Sequence, residues 1–424
     1  MKASELKIKI NEGALAKYAE LYSDLDIQGE RYLSAIDEFI SLYGDVEAVL
    51  LSVPGRSEIC GNHTDHNRGC VLAGAIDRDI IAVAARTDDG VIRFFSEGYP
   101  MHEVLISDCK DSANFEKYTS QALIAGMVNG FSNRGYGVGG MCVYSTSDVL
   151  KGSGISSSAA YEVMIGNALN YLYNVGSIQN EEIAKLAQYA ENVYFGKPCG
   201  LMDQMACAVG GFVYIDFADK ECPEVVPIDF SLGNEGYALC IINTGGNHAD
   251  LNEDYASVPA EMKAVAKTLG REVLRGVTEV ELVRMIPALR ESVGDRAVLR
   301  AIHFIRENER VTRARDALID KRLSDFFGAI NESGASSFKY LQNVYTTQNV
   351  TEQGLSLALA LADGYLGGEG AYRVHGGGFA GTVQVFVKKD RLDGLRALMD
   401  SVFGEGSACA FNVRPLGAIK LDIN

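Results

Sequence analysis

Apolar and charged residues recur at helical spacing over residues 5–45, which predicts amphipathic helix there. The pattern then changes. Short apolar runs at Ala48 to Val53, Ile80 to Ala85, Val91 to Ser96 and Met141 to Tyr144 each predict a strand. Glu181 to Phe195 returns to helical spacing. Gly211 to Asp216 and Tyr237 to Ile242 read as strands, and 256–330 reads as mostly helical. Thr382 to Val387 alternates as a strand, and a helix follows from Arg391 to Phe403. The strands fall into two groups, each mixed with helices, so the expected class is α+β rather than a βαβ series. The pattern breaks at Lys220-Glu-Cys-Pro and again at Pro227. That suggests two domains, 1–228 and 229–424.

Length agrees with this division, since 424 residues suffice for two cores of ordinary size. A net charge of −17 argues against nucleic-acid partners and against binding to an anionic membrane surface. No run of about 18 apolar residues appears, so no membrane span is expected. Met-Lys-Ala-Ser-Glu-Leu-Lys-Ile-Lys lacks an apolar core of signal-peptide length. The nine cysteines include no CxxC pair, and Cys70 and Cys240 have apolar neighbours. Reduced thiols in a cytoplasmic protein are therefore expected, with the sequons at Asn62, Asn331 and Asn349 unmodified.

Chemistry concentrates in four motifs. Gly152-Ser153-Gly154-Ile155-Ser156-Ser157-Ser158 runs into Ala159-Ala160 and an apolar helical stretch. A small-residue loop feeding a helix N-terminus offers unpaired N–H groups and the positive end of the helix dipole, which suits a phosphate. The plainer reading is a Ser-rich linker capped by a helix. No GxxxxGK[ST] loop is present. The GxGxxG match at Gly135 to Gly140 precedes a strand and opens no helix, so it reads as a glycine turn.

The second motif is Pro54-Gly55-Arg56 followed by Gly61-Asn62-His63-Thr64-Asp65-His66-Asn67. Cys60, His63, Asp65 and His66 have ligand chemistry but no standard zinc spacing. The cluster reads better as a hydrogen-bonding platform for a polyhydroxylated substrate. In the third motif, Cys199-Gly200-Leu201-Met202-Asp203-Gln204-Met205, an acid stands among apolar residues. Asp203 needs a partner there to stay charged, and Arg56 is an available cation. A helix N-cap is the alternative. The fourth motif is Arg373-Val374-His375-Gly376-Gly377-Gly378-Phe379. Its consecutive glycines imply close approach of backbone to a ligand or another loop.

In this order, from about residue 50 onward, the motifs resemble galactokinase, within the GHMP small-molecule kinases. The resemblance implies two mixed α+β domains with ATP and sugar in the cleft between them. It implies ATP-dependent phosphorylation of the anomeric hydroxyl of galactose or a close relative such as galacturonate. A non-catalytic galactose sensor is the rival class. By resemblance, residues 152–158 hold the ATP phosphates, and Ser158 and Glu191 ligate Mg²⁺. Asp203 is the general base and Arg56 its neighbouring cation. Asn62, His63, Thr64, Asp65, Gly200 and Tyr255 line the sugar, with Gly376, Gly377 and Gly378 forming the glycine-rich loop. Two departures stand out: galactokinases usually carry glutamate where this chain has Asn62, contacting the hydroxyl on carbon 6, and tyrosine where it has His66. A monomer is expected.

Overall fold

A computed structural model describes the chain except for residues 23, 150–153, 198, 220, 221, 247–250 and 424. Twelve strands are seen among the described residues. β1 (Val49–Cys60) and β2 (Cys70–Thr87) are much longer than their apolar runs suggested. Nearly every residue in both is buried, so neither shows the alternation of a half-exposed strand. β3 is Val91–Ser96, β4 His102–Leu105 and β5 Gly140–Ser147. β6 is Phe212–Asp216, β7 Glu224–Ile228 and β8 Tyr237–Asn243. β9 is Ala371–His375, β10 Thr382–Lys388, β11 Ala408–Phe411 and β12 Ile419–Leu421. The α+β class expected from the pattern holds.

The chain divides into two compact units, and neither is continuous in sequence. One comprises Met1–Arg56, Ala75–Gly211 and Arg414–Asn424; the other comprises Ser57–Gly74 and Phe212–Val413. This differs from a single division at 228/229. The cause is non-local strand pairing. β6 lies antiparallel to the first part of β2, with Cys70 opposite Asp216, and β7 pairs with β6. β12 returns to β1, with Leu50 opposite Leu421. Turn residues give no sign of such pairings.

In the first unit the strands follow the order β12-β1-β2-β5-β3-β4, and β3 and β5 run parallel. The helix Leu25–Tyr43 is started by Asp24, whose carboxylate accepts the N–H groups of Asp26 and Ile27 at 3.0 Å each. Its Tyr32, Ile36 and Phe39 pack on Ile81, Val83 and Ala85 of β2 and on Cys142 and Tyr144 of β5. Phe95 joins that cluster. Phe94, its neighbour on the other face, meets Tyr161 edge-on at 4.9 Å. Tyr161 belongs to the helix Ser157–Tyr173, which begins at the Gly-Ser loop.

In the second unit β11-β8-β10-β9 form an antiparallel sheet. Cys240, Ile242, Val383, Val385 and Val387 pack against Leu355, Leu359, Leu395 and Met399. Phe386 points the other way, into Phe326 and Phe327 at 5.5 and 5.8 Å. The helices predicted over 256–330 are present, the longest being Asp295–Ile319. Among the described residues no helix is long and apolar enough to cross a membrane.

Candidate active site

β1 ends its passage through the first unit at Gly55-Arg56. The Arg56 N–H donates to the Ile155 carbonyl at 3.1 Å. A Cβ at Gly55 would stand 2.7 Å from that same oxygen, so only glycine lets the strand lie against the loop. Arg56 then forks onto Asp203. Nε donates to Oδ1 at 2.8 Å and Nη2 to Oδ2 at 2.7 Å, while Nη1 donates to the Gly154 carbonyl at 2.7 Å. The Ser156 hydroxyl donates to Asp203 Oδ2 at 2.6 Å.

Asp203 sits in the first turn of the helix Met202–Val209. The N-cap position belongs to Leu201, which removes the capping alternative. Burial alone would raise the Asp203 carboxyl. Arg56, Ser156 and then Lys197 outweigh it and hold the group below its ordinary 3.8. Asp203 is therefore a carboxylate at neutral pH.

Ser156 occupies the N-cap position of the helix Ser157–Tyr173, in left-handed backbone at φ 60°. Its hydroxyl goes to Asp203 and makes no cap bond, so the first-turn N–H groups are left for another acceptor. Non-glycine residues at positive φ are costly and gather at functional sites; His63 (φ 58°) and Phe379 (φ 59°) are two more here. Ser157 and Ser158 are half-buried in the helix's first turn. Gly152 and Ser153 lie outside the described residues.

Glu191 lies in the first turn of a π-helical segment, Ala190–Phe195, that continues the helix Asn180–Tyr189. It is buried. Its Oε1 accepts from Lys197 Nζ at 3.2 Å and its Oε2 from Gln204 Nε2 at 2.7 Å. The same Gln204 nitrogen reaches Glu162 Oε2 at 3.2 Å. Burial first, and Glu191 second, push Glu162 well above the usual carboxyl range. Glu162 Oε1 is buried with no hydrogen-bond partner among the described residues. Gln204 belongs to the third motif, whereas Glu162 and Lys197 stand in no motif; Glu162 sits in the apolar helical run, where a carboxyl reads as an exception.

The oxygens of Ser158 and Glu191 have the hard-donor chemistry that suits Mg²⁺, and Glu191 already holds one cationic group, the Lys197 ammonium. Among the described residues no three His, Cys, Asp or Glu side chains converge as a metal cage. Two protein oxygens with phosphate and water completing the shell is the arrangement Mg²⁺ prefers.

In the second unit, the polar loop after β1 and the triple-glycine turn after β9 are laced together. Asn62 Nδ2 donates to the Gly376 carbonyl at 2.7 Å, and His63 Nε2 meets the Gly377 carbonyl at 2.9 Å. The Tyr255 hydroxyl donates to the Gly378 carbonyl at 2.8 Å. Glycine is required in that turn. A Cβ at Gly377 would stand 2.6 Å from the Tyr255 ring, and one at Gly378 2.0 Å from the Asn343 carbonyl.

These contacts change what three residues expected at the sugar do. Asn62 is 1 % exposed and its amide is fully engaged by protein groups. Thr64 is buried, and its hydroxyl bonds the carbonyls of Gly61 and Cys70 at 2.9 and 2.7 Å, closing the turn. Tyr255 braces Gly378 and meets Phe379 edge-on at 5.4 Å. All three support the loops from behind.

His63 and Asp65 are half-buried in the loop. Burial lowers the His63 imidazole to about 4, against the pull of the Gly377 carbonyl. The ring is neutral; the network assigns Nε2 as the donor and leaves Nδ1 as an acceptor. Asp65 Oδ1 accepts the His66 N–H at 2.9 Å. Gly200 is half-buried just before Asp203's helix. Cys60 points at Glu307 Oε1 at 3.4 Å. Glu307 also takes the Gly61 N–H at 3.1 Å and the Ser333 hydroxyl at 2.5 Å.

Residues 37–86 match the family described as the galactokinase galactose-binding signature, and residues 122–211 match the GHMP kinases N terminal domain. The galactokinase of Streptomyces coelicolor is 32% identical over 381 residues, covering 88% of this chain and 94% of that protein. The chain belongs to the galactokinase family. Clostridium tetani galactokinase is 30% identical over 358 residues, 84% of this chain and 88% of that protein. The crystal structure of Lactococcus lactis galactokinase complexed with galactose superposes with a TM-score of 0.77 at 25% identity, covering 92% of this chain and 99% of that one. A mevalonate kinase shares the fold, with a TM-score of 0.59 at 16% identity over 87% of this chain and 99% of that one. Within this galactokinase-family chain, the first match contains the Arg56 to Asp65 cluster, and the second contains both Ser156 and Asp203.

Proposed function

We infer that the chain transfers the γ-phosphoryl group of ATP to the anomeric hydroxyl of galactose, giving galactose 1-phosphate and ADP. One observation carries this reading: Asp203 is held as a carboxylate in the fork of Arg56, beside Ser156, whose helix leaves its first-turn N–H groups uncapped. An ionised acceptor for a hydroxyl proton and a backbone anion site meet at one serine.

In this reading Asp203 takes the proton of the attacking hydroxyl. Phosphoryl transfer has a loose transition state, so positioning and charge neutralisation do most of the work. Arg56 keeps Asp203 charged and offsets negative charge that develops as the bond to the leaving phosphate lengthens. The Gly-Ser segment 152–158 receives the phosphates. Ser158 and Glu191 would hold Mg²⁺, which supplies further neutralisation of phosphate charge. His63 and Asp65 bind sugar hydroxyls, His63 through its acceptor Nδ1. Asn62, Thr64, Tyr255 and Gly376 to Gly378 shape that surface. A pure sugar sensor has no need of the Arg56–Asp203–Ser156 arrangement. We read the protein as a cytoplasmic monomer; its nine cysteines are all unpaired.

The test is ADP release with ATP, Mg²⁺ and a panel of hexoses and hexuronic acids. Galactose is expected to give the highest kcat/KM. No sugar-dependent ADP release would overturn the kinase reading, and a preference of about tenfold or more for another sugar would overturn galactose.

A further inference from the structure

Glu58 lies on β1, two residues beyond Arg56, and is 6% exposed. Nothing in its sequence context marks it. Its Oε1 accepts Asn62 Nδ2 at 2.9 Å and Arg373 Nη2 at 3.2 Å. Arg373 is fully buried and donates its other arm to the Ile59 carbonyl at 3.0 Å. From Asn62 the chain of bonds continues. Asn62 Oδ1 accepts Asn343 Nδ2 at 2.6 Å, and that same amide donates to the Gly377 carbonyl at 3.0 Å. The Asn62 carbonyl accepts His303 Nε2 at 3.0 Å.

We propose that Glu58 is a positioning residue for sugar binding: its charge fixes the amide orientations of Asn62 and Asn343, and through them the Gly376–Gly378 turn. An ionised carboxylate only accepts, so Asn62 must turn its NH₂ toward Glu58. The second hydrogen of that NH₂ then points at the Gly376 carbonyl. Asn62 Oδ1 is left to face Asn343, which must present its own NH₂, and that NH₂ is what reaches the Gly377 carbonyl. One buried charge thereby favours the donor direction of both amides that hold the turn. Reversing Asn62 would bring its oxygen to the 2.7 Å contact now held by hydrogen bond to the Gly376 carbonyl, two acceptors face to face. The inference rests on the reading that His63, Asp65 and this turn serve the sugar.

Two single variants and their combination test it. Glu58→Gln keeps the shape and removes the charge, so the Asn62 amide loses its charged acceptor and its direction rests on the Gly376 carbonyl alone. Its galactose KM is expected to rise about tenfold or more, the scale of a charge-assisted bond. Its kcat and ATP KM are expected to stay within about threefold. Asn62→Asp sets two carboxylates against each other, and kcat/KM for galactose is expected to fall by about a hundredfold or more. In Glu58→Gln/Asn62→Asp the new glutamine amide donates to the new carboxylate, and kcat/KM is expected to recover about tenfold over Asn62→Asp. A merely structural Glu58 would lower the melting temperature without separating KM from kcat. Unchanged galactose KM in Glu58→Gln, or no recovery in the double variant, overturns the proposal. Should Asn62→Asp fail to fold, the Glu58→Gln split decides by itself. A parent that binds galactose without phosphorylating it sinks the proposed reaction, and calorimetric Kd values then decide the clamp. A parent that neither binds nor phosphorylates galactose overturns both.

Discussion

Replacing Asp203 by asparagine removes the proton acceptor and leaves the shape almost unchanged. A positioned general base contributes about 10²–10⁴ in rate, or roughly 2.7–5.4 kcal/mol at 1.36 per tenfold. The structure adds a second effect. Asp203 Oδ2 accepts from both Arg56 Nη2 at 2.7 Å and Ser156 Oγ at 2.6 Å. An NH₂ there faces the guanidinium donor to donor. Turned over, it faces Arg56 Nε, now 2.8 Å from Oδ1. Either way one arm of the fork is lost. The Ser156 hydroxyl can rotate to accept, but Arg56 cannot. Losing one charge-assisted bond costs about 1.5–3 kcal/mol, which belongs to stability more than to turnover. The variant should therefore melt somewhat lower, bind galactose within about tenfold of the parent and turn over at least about a hundredfold more slowly. Coupled ADP release gives kcat. Calorimetry gives Kd, since a chain with no Trp offers no indole signal. The parent's kcat should also show no acid limb from this group near neutrality, because its carboxyl titrates below 3.8. Turnover within about fivefold of the parent would refute the base assignment and make Asp203 an anchor for Arg56.

Other outcomes follow from the same geometry. Ser158→Ala is expected to shift the Mg²⁺ titration to higher concentration and to lower kcat; an unchanged titration removes Ser158 from the metal. Gly210 has φ 84°, and a Cβ there would stand 2.0 Å from the Gly417 nitrogen, so Gly210→Ala should cost about 2–4 kcal/mol by urea denaturation. His303 is fully buried between Ser336 and the Asn62 carbonyl, and burial lowers it from 6.5 to about 4. Between those pH values the unfolded chain binds the proton and the folded chain does not. Stability is thus fully present above about 6.5 and falls as pH drops toward about 4, by at most about 3 kcal/mol from this group. A denaturation midpoint whose slope over that range is the same in parent and His303→Gln would contradict it.

The residues legible in the sequence were those whose chemistry is unusual for their surroundings. The Gly-Ser loop leading into a helix and the lone acid among methionines both pointed to the Arg56–Asp203–Ser156 group, although 147 residues separate the ion pair. What sequence could not convey was direction. Asn62 and Tyr255 look like substrate contacts by residue type, yet both turn inward onto glycine carbonyls. Asn62→Glu, which restores the glutamate usual in galactokinases, is expected to weaken galactose binding, because Glu58 lies 2.9 Å from the Asn62 amide. Glu58, His303 and Asn343 stand in no motif because their partners come from distant segments, as Asn343 meets Asn62 across 281 residues. The same non-locality hid the discontinuous units. A strand such as β12 carries three residues and no turn signal that names its partner.

If the chain transfers phosphate from ATP to the anomeric oxygen of galactose, the identity of the product reveals it. Purified protein, Mg·ATP and galactose, followed by phosphorus and proton magnetic resonance, should yield one sugar phosphate, formed in step with ADP. Its phosphorus should couple to the proton on carbon 1 and be lost in Asp203→Asn. A phosphate on any other carbon, or galactose bound with ATP left intact, would contradict the account.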